Sequence, residues 1–280
     1  SGRISLAVVT RAEYGLAMDR ILAHTRANRI SWNEIAPARP VPTPEFYLNG
    51  GSTLEDYEPD LLPDVAGRRM LHLACANGAD SVSWAFLGAS VTGVDISDVG
   101  IEAARSLARE TGADARFVVA DLFEMPEELR DFDVIYASAG VVCWLPDLDR
   151  WARMIAERLR PGGTFLLNEH HPIWEVLGVR RPGEVAVTVD YFGRSRPTAQ
   201  TYDQAKRPVG STPETEFDAF LWPVSDVVMS LVRAGLRIEE FFEAPFPDMY
   251  DGLGDAATRL PAVYVIRAER EDREVEKGGT

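Results

Sequence analysis

The sequence predicts an α/β fold built on a parallel sheet, and three observations carry that reading. Between residues 69 and 170, short apolar runs alternate with helical ones, as in successive βαβ units. The first of these runs passes through the small residues Ala74, Ala76 and Gly78 straight into a helix start. The 280 residues are 46% apolar and 26% charged, a globular composition on a chain long enough to bury a sizeable core. Disordered, collagenous and disulfide-scaffold classes are thereby excluded, and the length suits one α/β domain with appendages.

The elements follow in order. Residues 1–62 open with a helical stretch from about Arg11 to Asn28, then break at Pro37, Pro40, Pro42 and Pro44; they read as an arm outside the core. Strands are expected at 69–74, 89–95, 114–119, 132–137 and 163–169, with helices at 79–87, 98–111 and 147–160 between them. Pro161-Gly162-Gly163 stops the last of these helices. Residues 172–222 lose the rhythm and are rich in aromatics, Arg and Pro, which reads as an insertion. A helix at 224–234 and strands at 236–243 and 262–268 complete a domain spanning 63–270, and a charged tail, 271–280, frays beyond it.

Charge narrows the partners. Lys and Arg number 29 against 44 Asp and Glu, a net −15 that repels a phosphate backbone, so no nucleic-acid partner is expected. Cys75 and Cys143 stand far apart without CxxC or Cys/His ligand spacing; they suggest neither disulfides nor structural zinc and read as small apolar residues of a cytoplasmic protein. No run approaches the roughly 18 apolar residues of a membrane span, and Ser1-Gly2-Arg3 reads as a cloning scar rather than a signal peptide.

The chemistry gathers at the carboxyl edge of the expected sheet. In Met70-Leu71-His72-Leu73-Ala74-Cys75-Ala76-Asn77-Gly78, small residues allow close backbone approach to a ligand while the helix start offers free N–H groups. Asp95 closes the second strand, where an acid can accept both hydroxyls of a ribose or, alternatively, cap the next helix. Asp121 follows the third strand at the same carboxyl edge and could likewise cap a short helix.

These motifs together resemble the class I S-adenosylmethionine (SAM)-dependent methyltransferases. The resemblance covers residues 64–170 and the last two strands; it places the family's glycine-rich motif on His72 to Gly78, its ribose acid on Asp95 and its adenine-side acid on Asp121. Its fourth strand falls on Phe132-Asp133-Val134-Ile135-Tyr136 and its following segment on residues 138–145. The resemblance implies a doubly wound, Rossmann-like, seven-stranded and mostly parallel sheet, with the arm and the insertion after the fifth strand covering the carboxyl edge. It implies SAM as cofactor, S-adenosylhomocysteine as product, and methyl transfer to oxygen, nitrogen or carbon of a small organic acceptor. Cofactor contacts then fall on Trp32, His72, Ala74, Cys75, Ala76, Gly78, Asp95, Ile96, Asp121, Leu122, Ser138 and Ala139. Leu-His-Leu-x-Cys, with Gly-Val-x-Cys-Trp-Leu-Pro-Asp at 140–147, resembles a bacterial subgroup acting on small molecules. The chain departs from the family pattern at His72, where an acid is usual, and at Ala74 and Ala76, where Gly is usual; Ala suits a close approach if φ is negative.

His72, inside an apolar strand, reads equally as a hydrogen-bonded core histidine. His170 and His171 end the fifth strand; one is a candidate base for the acceptor, and since adjacent strand residues face opposite ways, at most one serves. Local hydrogen bonding is the alternative for both. Trp144 is a pocket or packing residue, and Trp32, Phe46, Tyr47, Trp174, Tyr191, Phe192 and Trp222 are aromatic candidates for the acceptor cavity. No metal is expected, because Ala137-Ser138-Ala139-Gly140 lacks carboxylates. Two rivals remain: a non-catalytic SAM-binding regulatory module, and a nicotinamide-dependent oxidoreductase, against which stands the missing third Gly of G-x-G-x-x-G.

Overall fold

The computed structural model describes residues 18–181, 184–192, 207–212, 214–250 and 252–271. A helix, α1, runs from Met18–Ile35, seven residues beyond the expected end at Asn28. One face of it is buried, at Ile21, Leu22, Thr25, Asn28, Ser31 and Ile35, and it stops only where Pro37 enters a short 3-10 turn. The part expected from Arg11 to Ala17 lies outside the described residues. Two short helices follow, α2 (Pro44–Leu48) and α3 (Tyr57–Leu61). The opening segment therefore does not stand clear of the core: Ile21, Ile35 and Tyr47 are fully buried.

The sheet comes next. Strands β1 (Arg69–Leu73), β2 (Ser90–Asp95), β3 (Ala115–Val119), β4 (Phe132–Ala137) and β5 (Leu159–His170) alternate with helices α4 (Ala79–Phe86), α5 (Asp98–Thr111) and α6 (Leu148–Arg158). Helix α6 buries Leu148, Trp151, Ala152, Ile155 and Ala156, the stripe of a helix packed on a sheet. The Asp147 carboxylate caps it by accepting from the Arg150 N–H at 2.9 Å. Strand β5 begins earlier than expected because Leu159 already pairs with Phe132, and the ladder is irregular before Val134 meets Thr164. The Pro-Gly-Gly run thus sits within the strand entry rather than at a helix end.

The 172–222 region is not free of structure. It holds a helical turn, α7 (Ile173–Val176), and an antiparallel hairpin of β6 (Leu177–Arg181) and β7 (Glu184–Val187), elements too short for a periodicity argument. Helix α8 (Val224–Arg233) and strands β8 (Leu236–Ala244) and β9 (Val263–Arg270) return to the main sheet. Residues 272–280 of the tail lie outside the described ones.

The seven strands are ordered β3-β2-β1-β4-β5-β9-β8, and β9 alone runs antiparallel, against both β5 and β8. This is the doubly wound, mostly parallel sheet expected. Helices cover both faces, so successive strand residues feed opposite cores: Phe165 and Leu167 pack with α6 and α8, Leu166 with Trp84 of α4. The order reverses between β1 and β4, and a crevice opens there at the carboxyl ends. Among the described residues, no helix is long and apolar enough to cross a membrane.

Candidate functional site

The turn after β1 carries the most unusual backbone near this edge. Ala74 has φ 53°, Ala76 φ 48° and Gly78 φ 79°, so the condition of negative φ at the alanines is not met. Both adopt the glycine-like left-handed conformation with a Cβ in place, a strain of about 1–2 kcal/mol each. What over-determines the turn is its bonding: Cys75 N–H donates to the Val94 carbonyl at 2.9 Å and Ala76 N–H to Asp95 Oδ2 at 2.8 Å. Gly78 is fixed by packing, since a Cβ there would lie 2.7 Å from the Ala104 Cβ.

Asp95 is a clamp rather than a helix cap. Its other oxygen accepts from Ser97 N–H at 2.8 Å, and it is Ser97 that caps α5 by accepting from Gly100 N–H. Burial pushes the Asp95 carboxyl above its ordinary pKa, opposed by the Ser97 and Ala76 amides and then by Arg39. Asp121 accepts from Phe123 N–H at 2.9 Å, fixing the turn after β3.

Both acids open onto a cavity of about 410 Å³ at the reversal of strand order. Its walls come from four stretches: Trp32 and Arg39 of the opening segment, the 74–77 turn with Asp95 and Asp121, residues 138–145, and His170, Trp174 and Arg207. Trp32 packs edge-on against Trp144 at 5.1 Å between ring centroids, and Arg39 lies over the Trp32 ring at 5.2 Å. Hydrogen bonds hold α1 to the insertion: Asn28 bonds the backbone of Asp218 in both directions at 2.8 Å, and His24 meets the Asp218 carboxylate at 2.7 Å.

The two histidines separate. His170 lines the cavity, edge-on to Trp174 at 5.4 Å, and among the described residues nothing hydrogen-bonds its ring nitrogens. Burial lowers its pKa, opposed by the neighbouring Glu169 carboxylate. His171 turns away, its Nε2 2.9 Å from Glu243 and its Nδ1 accepting from Ile173 N–H. Glu169, buried, accepts from the backbone N–H groups of Gly140, Val141, Val142 and His170 at 2.6 to 2.8 Å. One carboxylate thus pins the cavity wall after β4 to the end of β5.

A methyltransferase-domain profile matches residues 70–163, the stretch from β1 to the start of β5. Over 168 residues the chain is 30% identical to the 27-O-demethylrifamycin SV methyltransferase of Amycolatopsis mediterranei (strain S699), covering 59% of this chain and 61% of that one. The fold is shared with an S-adenosylmethionine-dependent methyltransferase from Mesorhizobium loti, at TM-score 0.59 and 24% identity over 80% of this chain and all of the other. Residues 70–163 are thus similar to a methyltransferase domain, on a fold shared with SAM-dependent methyltransferases. It spans between 37% and 61% of the length of the curated relatives it matches. The same fold also serves the [4+2]-cyclase SpnF, at TM-score 0.57 and 16% identity over 89% of this chain and 96% of that one, so architecture alone does not decide the chemistry.

The expected residues Ala74, Cys75, Ala76, Asp95, Ile96, Asp121, Leu122, Ser138 and Ala139 all line the cavity, joined by Trp32 from α1. His72 and Gly78 do not. His72 is a buried core histidine, its Nδ1 2.7 Å from Ser81 Oγ, and burial pulls its pKa down to about 4. Of the aromatic candidates, only Trp32 and Trp174 reach the cavity, with Trp144. Tyr47 is buried against α4 and α5, Trp222 is buried in the main core with its Nε1 donating to Leu145 O, and Phe46 and Phe192 are exposed. Tyr191 also lies off the lining. Cys75 is buried as expected, whereas Cys143 is half-buried on the cavity wall. Sequence reasoning missed Arg39, Glu169 and Arg207, single charged residues that no local motif marks. Among the described residues, no group of three or more His, Cys, Asp or Glu is placed to hold a metal ion.

Proposed function

We propose that the chain is an enzyme that methylates a small organic molecule from SAM, with a hydroxyl oxygen as the acceptor atom that best uses the site. The observation that carries this reading is the junction, in one cavity, of the 74–77 cradle and its two acids with the His170 imidazole, which packs on Trp174 and whose ring nitrogens meet no hydrogen-bond partner among the described residues. The residues present fit the cofactor. The backbone of the turn approaches closely, Asp95 offers a fixed carboxylate at the site for a ribose, and Asp121 and Leu122 stand where an adenine would lie. When bound, SAM supplies a methyl group already activated by its sulfonium charge.

The chain's own work is then alignment, dryness and proton removal. Trp32, Trp144 and Trp174 exclude water and orient an acceptor. His170 is kept neutral by burial, so at neutral pH its free ring nitrogen can take the acceptor's hydroxyl proton. His171, engaged with Glu243, stands aside. The pinned segments 18–39 and 207–222 form the cover of the acceptor side. The rival reading is a SAM-binding protein without methyl transfer.

Calorimetry with S-adenosylhomocysteine, SAM and NAD tests the cofactor. Binding of the first two and not the third is expected, whereas binding of NAD alone would overturn the reading. Transfer of labelled methyl from SAM to any small hydroxylated acceptor separates the enzyme from the non-catalytic binder.

A further inference from the structure

Glu169 is buried near the end of β5, and its four hydrogen-bond partners are all backbone N–H groups. Oε1 accepts from Gly140 at 2.6 Å and from His170 at 2.7 Å, and Oε2 accepts from Val141 at 2.8 Å and from Val142 at 2.6 Å. Two donors on each oxygen fill the capacity of a carboxylate. Glutamate is rarely buried without a cation; here three successive amides of one turn, with a fourth from β5, take the cation's place.

This bonding joins two parts of the cavity at a single atom. Oε1 bridges the wall after β4, at Gly140, and the strand end that carries the His170 imidazole. The ring lies against that same glycine: a Cβ on Gly140, whose φ is 91°, would stand 3.7 Å from His170 Cε1. Through Val141 and Val142, Oε2 holds the 3-10 turn Val142–Trp144, which brings Trp144 to the cavity.

We propose that Glu169 is a positioning residue of the acceptor site, whose one buried carboxylate holds the His170 imidazole and the 140–144 wall in a fixed mutual geometry. Its part in methyl transfer rests on the function proposed above; its hold on the imidazole does not. Charge belongs to the device, because burial lowers the His170 pKa and Glu169 is the charge that opposes it. The other ionisable groups on the cavity lining are Arg39, Asp95, Asp121, Cys143, Glu175 and Arg207. From β9, Tyr264 pairs with Glu169 itself, and His171 is turned toward Glu243. An amide of the same shape, in Glu169→Gln, removes the charge and sets an NH2 donor against two of the four N–H groups.

The test is titration of the imidazole signals by NMR on the full chain without ligand. Only four histidines are present, so single His→Gln variants assign them. In Glu169→Gln the His170 midpoint is expected to move to lower pH, and amide exchange at residues 140–144 to quicken. Glu169→Asp keeps the charge on a side chain one methylene too short to reach all four N–H groups; its His170 midpoint should stay nearer wild type while the same exchange quickens. With a methylated acceptor, Glu169→Gln should lower kcat by about 10²-fold, the scale of a 1 Å misplacement, and carry the acidic limb to lower pH. An unmoved His170 midpoint in Glu169→Gln overturns the proposal, as do unchanged exchange at 140–144 in both variants or an unchanged kcat. Failure of both variants to fold would make Glu169 a requirement of the core and overturn it too. If S-adenosylhomocysteine fails to bind the wild type, it is the methyltransferase reading that falls, and the titration still decides what holds the imidazole.

Discussion

Replacing the two strained alanines by glycine separates backbone strain from packing within one turn. Ala76, at φ 48°, lines the cavity and belongs to no apolar cluster, so Ala76→Gly removes about 1–2 kcal/mol of left-handed strain and loses nothing in packing. Glycine's greater freedom in the unfolded chain takes back about 0.5–1 kcal/mol, which leaves a net gain of about 0.5–1 kcal/mol. Ala74, at φ 53°, differs because its methyl packs against the main core, and deleting that group costs about 0.8 kcal/mol more. Ala74→Gly should therefore come out near neutral. Urea unfolding of both variants, at unchanged m, reads the difference directly as a rise in midpoint for one and none for the other. For a chain of this size the corresponding rise in Tm is about 1–4 °C. A lower midpoint for Ala76→Gly, or equal shifts in the two variants, would refute the argument that the turn stores strain.

Further outcomes follow from the same geometry. Asp95→Ala should weaken S-adenosylhomocysteine binding by about 1.5–3 kcal/mol per charged hydrogen bond lost; unchanged affinity in calorimetry would leave Asp95 a clamp on two amides and nothing more. His72, at about 4 when folded, binds its proton less readily than in the unfolded chain, near 6.5. Its contribution to stability is thus full above pH 6.5 and is lost as the pH falls toward 4, at about 1.4 kcal/mol per unit, and denaturant titrations of His72→Gln should lack that slope. His170→Gln should lower kcat by about 10²–10⁴-fold and abolish an acidic limb lying below the ordinary histidine range, while His171→Asn stays near wild type. Cofactor and acceptor together should slow hydrogen exchange in residues 18–39 and 207–222, and protection confined to the sheet edge would contradict a cover made of both segments.

Most of the sheet was legible because its signals are local. An apolar run of five residues, a helical stripe such as Leu148, Trp151, Ala152 and Ile155, and a capping acid at Asp147 lie within a few positions of each other. Tertiary contact decided what was misread. Helix α1 continues past Asn28 because Ser31 and Ile35 find partners on the domain, including the carbonyl of Glu216, far along the chain. The hairpin of β6 and β7 escaped notice because each strand has five residues or fewer, below the length at which a period of two can be told from chance. The sign of φ at Ala74 and Ala76 was also beyond composition. Alanine prefers negative φ, and only the amide bonds to Val94 and Asp95 override it.

The two halves of the site differ in legibility for one physical reason. The half proposed for the cofactor is assembled from strand ends that neighbour each other in a parallel sheet, so spacing along the chain translates directly into spacing along an edge. The half proposed for the acceptor is assembled from residues on α1, the 138–145 segment, the end of β5 and the insertion, brought together by long-range bonds such as Asn28 to Asp218 and Thr215 to Glu34. Glu169 shows the consequence. Beside two histidines it reads as one more polar residue at a strand end, yet it is buried under four backbone N–H groups and fixes the wall on which Trp144 stands. Because the insertion touches the cavity through Trp174 and Arg207, and none of its described residues hydrogen-bonds the 74–77 turn, the proposed function lets its side chains change what is accepted while the cradle stays as it is. Specificity in such an arrangement resides in the segments whose sequence shows the least periodicity.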